Sequence, residues 1–172
     1  MKKKLSAYII IDIVLIFVLL LMIFLLIRQI LPRQVDDFSP GIFCEPEVVE
    51  KSQILMVVPI FENVSIADNK TWCEQTLALN KTLGLHGVYH TYNEFLTPRD
   101  KEYIQKGMEE FIKCFGYYPK IFEAPQLALS RINEKTLRGL NLEVYGYPFQ
   151  LTHKVYHCSD SGKYSNRFID FV

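Results

Sequence analysis

Two histidine pairs with the same spacing stand out in this chain. His86 and His90 flank Gly87-Val88-Tyr89, His153 and His157 flank Lys154-Val155-Tyr156, and the sequence has no other histidine. Imidazole is the commonest metal ligand, and residues four apart lie on one face of either a helix or a strand. A vicinal carboxylate pair, Asp36-Asp37, stands fifty residues before His86 and runs into Phe38-Ser39-Pro40-Gly41, a turn signal. Adjacent carboxylates can divide labour when their surroundings push their pKa values apart, one ligating a metal while the other takes a proton. Each pattern alone also has a plainer reading: two half-buried histidines, and a solvated turn.

Taken in order, three stretches resemble successive motifs of polysaccharide-deacetylase-like (NodB homology) proteins. They are Asp36-Asp37, the His86-x-x-x-His90 segment that opens at Leu85, and Phe122-Glu123-Ala124-Pro125. The resemblance is nearest to a membrane-anchored branch of unknown function, and it covers roughly residues 33–172. It implies an α/β fold, an incomplete (β/α) barrel. The chemistry it implies is metal-dependent removal of N-acyl groups from a sugar, hydrolysis of a non-peptide C–N bond. By the same resemblance Asp37, His86 and His90 would hold a divalent metal, usually zinc. Three protein ligands leave a position for water, whose pKa the metal lowers while polarising the acyl carbonyl. Asp36 would be the general base. The amine-protonating histidine of these proteins sits in a Leu-x-His motif, which makes His153 of Leu151-Thr152-His153 the first candidate and His157 the second. Pro125 and Gln126 would line the substrate cleft. Two departures count against turnover: Glu123 occupies the place of an arginine that orients the base, and the Asp-rich fourth motif is not visible. A non-catalytic metal- or glycan-binding domain on the same fold is therefore the alternative, and a structural subunit of a glycan-processing complex is a third class.

The elements that must position these residues are legible in the apolar pattern. Ile54 to Ile60 reads as a buried strand. Asp68 or Asn69 can cap a helix carrying Trp72, Leu77 and Leu83 that stops at Gly84, and Leu85 to His90 is strand-like. Thr97-Pro98-Arg99-Asp100 opens the clearest helix, with Thr97 as cap, an apolar stripe through Ile104, Met108, Phe111 and Phe115, and Gly116 as its stop. Lys120 to Ala124 is a strand, Asn133 to Leu140 a helix, and Leu142 to Tyr147 and Leu151 to His157 are strands. Glu94 reads as a solvated loop end and Ser159 to Gly162 as a turn. Strand–helix alternation argues for a mostly parallel sheet, with the polar candidates at the carboxyl ends of strands.

Ahead of all this lies an apolar segment, residues 8–27. Between Ile9 and Ile27 it carries seventeen Ile, Leu, Val or Phe residues. At about −0.3 to −0.6 kcal/mol each they favour membrane insertion by roughly 5–10 kcal/mol, against at most about 3.5 kcal/mol for Asp12. A cleaved signal peptide would have a shorter apolar core and a small-residue cleavage site, which Arg28-Gln29-Ile30-Leu31-Pro32 does not offer. Lys2, Lys3 and Lys4 point residues 1–7 into the cytoplasm and the domain outside, close to the membrane, so the expected substrate is held there, a lipid-linked sugar or a cell-surface polymer. Three glycosylation sequons, at Asn63, Asn69 and Asn80, and four scattered cysteines suit that side. One or two disulfides are expected there, without a readable pairing. The formal net charge is zero and basic residues form no stripe, so nucleic acid is not an expected partner.

Overall fold

The computed structural model describes residues 2–172, with side chains from Ile9 onward. Met1 and the side chains of the predicted cytoplasmic stretch, residues 1–7, lie outside that description. The chain opens with one long helix, α1 (Lys2–Ile30). Its Ile9–Ile30 stretch is long and apolar enough to cross a membrane, a length and composition that also fit a signal sequence.

The domain that follows is built on β1 (Gln34–Phe38), β2 (Ile54–Val57), β5 (Thr82–His86), β6 (Ile121–Glu123), β7 (Glu143–Tyr145) and β8 (Val155–His157), with a small β3–β4 hairpin (Ile60–Phe61, Val64–Ser65). The six main strands pair in the order β7-β6-β5-β2-β1-β8, every neighbour parallel, and curl into an open half-barrel. Parallel strands need crossovers, which here are α2 (Pro46–Lys51), α3 (Lys70–Ala78), α4 (Lys101–Phe115) and α5 (Arg131–Gly139). The helices cover the outer face. Ile104, Phe111 and Phe115 of α4 pack there with Val35, Leu55, Leu83, Leu85 and Phe122 of the sheet. Each such side chain contributes about 1.5–3 kcal/mol by leaving water.

The inner face is thinner. Ile54, Met56 and Ile121 form its apolar layer, closed by Tyr145 and by Phe149 of α6 (Tyr147–Thr152). A Cβ at Gly84 would stand 2.5 Å from Met56 Sδ, so glycine is what lets the layer close. One step along the same face the side chains turn polar: Asp36 on β1 stands beside His157 of β8, and His86 on β5 beside Glu123 of β6. Two disulfides tie the periphery, Cys44–Cys158 from the loop after β1 to the end of β8, and Cys73–Cys114 from α3 to α4.

Several element boundaries differ from the sequence expectation, each for a local reason. The helix after Asn69 stops at Ala78, because Asn80 takes a left-handed backbone (φ 53°) and Leu83 belongs to β5. The strand expected to reach His90 ends at His86, where Gly87 (φ 66°) turns the chain. Asp100, not Thr97, caps α4 by accepting from Tyr103 N at 2.8 Å. The Thr97–Arg99 backbone is instead bound to the Asn133 amide. The strand expected over Leu151–His157 is split, since its first part belongs to α6, which has Pro148 in its first turn, and only Val155–His157 pairs.

Candidate metal centre

Asp36 and Asp37 both point into protein although they are consecutive strand residues. A register shift between Val35 and Phe38 marks a bulge, and Asp37 sits in the left-handed region at φ 61°. Bulges re-aim side chains next to sites, and a non-glycine residue held there costs roughly 1–2 kcal/mol that the surroundings must supply. The plainer reading of a solvated turn fails here, since both carboxylates are buried.

His86 comes from the end of β5. His90 comes from the loop after it, and that loop is wrapped around a carboxylate. Glu94, fully buried and not a solvated loop end, accepts from Val88 N (3.1 Å), Tyr89 N (2.9 Å) and His90 N (3.1 Å), and from Tyr103 Oη (2.7 Å). Gly87 makes this possible, since a Cβ there would lie 2.4 Å from Glu94 Oε2 and 2.7 Å from Pro125 Cγ. His90 itself is left-handed (φ 57°). The result aims two imidazoles at one oxygen. His90 Nε2 stands 2.7 Å and His86 Nε2 3.3 Å from Asp37 Oδ1, and one donor atom from each residue fits within 4.8 Å of the others.

Beside this triad lies a second buried set. Asp36 and Glu123 are bridged by two amides. Gln34 Nε2 donates to Asp36 Oδ1 (2.5 Å) and Glu123 Oε2 (3.1 Å), and Gln150 Nε2 to Asp36 Oδ2 (3.2 Å) and Glu123 Oε1 (3.0 Å). His157 Nε2 is 3.6 Å from Asp36 Oδ2, and Ser159 Oγ donates to Asp37 Oδ2. His157, Gln126, Gln150 and Ser159 share a cleft of about 420 Å³ with Asp36, Asp37, His86, His90 and Glu123.

Two candidates fall elsewhere. His153 is not among the cleft-lining residues. It caps the end of α6, stacks on Phe149 at 3.6 Å and has Nδ1 3.1 Å from Phe149 O. The expectation that it shares a strand face with His157 fails because α6 ends there and β8 starts only at Val155. Pro125 is buried beneath Gly87 and does not line the cleft, whereas Gln126, left-handed at φ 53°, does. Sequence reading passed over Gln34, Gln150 and Ser159, and gave Glu94 its weaker role. No short motif carries them; the one available signal was Gly87, a glycine inside the His-x-x-x-His stretch.

The electrostatics ask for positive charge. Burial would raise the Asp37 pKa, but hydrogen bonds from both imidazoles and Ser159 outweigh it and hold the carboxyl well below the usual range. Burial would lower His86, but the Asp37 hydrogen bond and the charges of Asp36 and Glu123 push it up to about 9. Burial, then the charge of Asp36, pushes Glu123 up to about 8. Three buried carboxyl groups meet here, and no Lys or Arg lines the cleft among the described residues. A ring nitrogen facing an ionised oxygen needs a proton or a cation between them, and His86 Nδ1 and Gln34 Oε1 are buried without a hydrogen-bond partner. One carboxylate with two imidazoles suits a divalent metal, so these residues fit one.

No family model matches the sequence, and no curated protein matches it. Solved structures do match the fold. It is similar to a family 4 carbohydrate esterase from Streptomyces lividans solved with acetate, at 12% identity over 66% of this chain and 60% of that one, with a TM-score of 0.50. It is also similar to a mutant of a family 4 pseudoenzyme of Bacillus anthracis, at 10% identity over 81% of this chain and 58% of that one, with a TM-score of 0.54. The chain thus has the polysaccharide deacetylase fold, and it spans 58–60% of the length of these two structures.

Proposed function

We propose that this chain is a membrane-anchored, metal-dependent carbohydrate deacetylase that removes N-acyl groups from a cell-surface or lipid-linked sugar outside the cytoplasm. The observation that carries the reading is the convergence of His86 and His90 on Asp37 Oδ1 with Asp36 alongside. Asp37, His86 and His90 would hold the metal, zinc by their donor types. When bound, it would polarise the acyl carbonyl and acidify a water. Asp36 is the proton acceptor, positioned by the Gln34 and Gln150 amides. His157, at the cleft, replaces His153 as the group that gives a proton to the leaving amine. Gln126 contacts substrate at the rim. The two disulfides and the Ile9–Ile30 span support an oxidising compartment and a membrane anchor.

The second reading, a metal- or glycan-binding domain without turnover, draws on Glu123. This carboxyl shares both bridging amides with Asp36 and competes for the proton the base must take, and one solved structure of this fold derives from a pseudoenzyme. The test is metal content of the full chain together with acetate release from a panel of N-acetylated sugars. The deacetylase reading expects stoichiometric metal lost in Asp37→Ala and His90→Ala, and turnover lost but metal kept in Asp36→Asn. Metal without turnover on any acceptor selects the second reading, and no metal removes both.

A further inference from the structure

An apolar face stands open beside the end of α1. Phe168 and Phe171 of α7 (Arg167–Phe171) are 73% and 81% exposed, while Ile169 between them packs on the core. Leu151 on α6 and Ile30 at the end of α1 are 61% and 73% exposed. Polar bonds to α1 hold these segments level with its last turn. Arg28 Nε donates to Val172 O (3.1 Å) and Arg28 Nη1 to Leu151 O, while Gln29 Nε2 donates to Phe171 O (3.4 Å). Cations surround the same place. Lys154 Nζ donates to Gln29 Oε1 (2.8 Å) and Asp170 O (2.6 Å), Lys51 pairs with Asp170 (2.7 Å), and Arg28, Arg33 and Lys51 all lie near enough to act on the Lys154 charge. Asp170 is the one acid among them in these contacts.

We infer that this face seats the domain on the bilayer that α1 crosses, with Phe168, Phe171 and Leu151 entering the headgroup–acyl boundary and the part-exposed Arg28 and Arg33 meeting anionic headgroups, while Lys154 is buried beneath them. The inference rests on α1 remaining as a span, and it does not depend on the deacetylase chemistry. Two observations select lipid over another protein. The face continues the apolar span at Arg28 and Gln29, and its polar rim is basic, the composition of an interfacial amphipathic helix. Phe and Leu are the residues that such interfacial segments turn into the membrane. The depth expected is about 5–10 Å. The seat also bears on the cleft, because α6 turns Leu151 outward while its neighbour Gln150 binds Asp36 and Glu123. A substrate held in the same bilayer would then meet the cleft from the headgroup layer.

The experiment uses the full chain. Both disulfides consume all four cysteines, so one introduced cysteine can carry an environment-sensitive fluorophore. The label goes at Phe171→Cys, Phe168→Cys or, as control, Val64→Cys in the hairpin whose Ser65 bonds Glu110 of α4. The protein is reconstituted into phosphatidylcholine–phosphatidylglycerol vesicles containing a lipid with a nitroxide near its headgroup, and intact mass establishes that α1 is retained. Labels at 168 and 171 should be blue-shifted, quenched by the nitroxide lipid and shielded from aqueous iodide, with the reverse at 64. Equal iodide access at all three positions overturns the inference. So does cross-linking between two 171 positions without lipid quenching, which would give the face to a second copy. As an independent variant, Phe168→Ser with Phe171→Ser should restore iodide access to a label at Leu151→Cys, and unchanged shielding there also overturns it.

Discussion

Glu94→Gln is the sharpest probe of how the candidate centre is built, because it replaces one carboxylate oxygen by an amide nitrogen in a residue that touches no proposed ligand side chain. The carboxylate accepts four donors: Oε1 serves Val88 N, Tyr89 N and Tyr103 Oη, and Oε2 serves His90 N. Glutamine keeps the shape but has one accepting oxygen. Its less costly orientation leaves the oxygen at the crowded position and turns the amide nitrogen toward His90 N, donor against donor. The cost is one hydrogen bond to a charged group, about 1.5–3 kcal/mol. That N–H belongs to the residue that brings its imidazole 2.7 Å from Asp37. If the cost falls on the ligand-competent loop, metal affinity drops by roughly 10- to 100-fold, at about 1.4 kcal/mol per tenfold. The assay is competition for zinc against a chromophoric chelator, with thermal unfolding of the full chain alongside. A lowered melting temperature with unchanged metal affinity would refute the argument, because Glu94 would then support the fold without positioning His90.

Three further outcomes follow from the same geometry. Gly87→Ala must place a methyl 2.4 Å from Glu94 Oε2 at φ 66°, so it should cost roughly 2–4 kcal/mol and lower the melting temperature by about 5–10 °C, read by calorimetry. In the metal-stripped protein, Glu123 has a folded-state pKa raised to about 8 by burial and by Asp36. The native state therefore binds that proton more tightly than the unfolded chain. This contribution is full below the ordinary glutamate pKa and fades as pH rises through about 8. Stripped protein should thus melt lower at pH ~9 than at pH ~5, and Glu123→Gln should flatten that slope; parallel melting curves for the two proteins would count against the assignment. Removing the Cys44–Cys158 bridge, which closes a separation of 114 residues, should cost about 4–5 kcal/mol, seen as a lower urea midpoint for Cys44→Ser with Cys158→Ser.

The grouping of Asp37 with His86 and His90 came from the resemblance to polysaccharide deacetylases, but residue pattern alone was enough to read a mostly parallel α/β sheet or partial barrel, a long apolar leading helix and the histidine pair. These features are local or periodic. Seventeen Ile, Leu, Val or Phe residues between Ile9 and Ile27, an i, i+3, i+4 stripe in α4, and a histidine pair four apart each declare themselves within a window of a few turns. Boundaries failed where a long-range bond replaced a local one, as when the Asn133 amide took the Thr97–Arg99 backbone and moved the α4 cap to Asp100. The sequence put His153 ahead of His157 because Leu151-Thr152-His153 completes the Leu-x-His motif. Only the end of α6 and the parallel pairing of β8 with β1 put His157 into the cleft and His153 against Phe149. The tertiary structure alone decided Gln34, Glu94, Glu123 and Gln150. Their roles come from partners up to 114 residues away, and a buried polar group takes its meaning from whichever donor or acceptor the fold brings within about 3 Å.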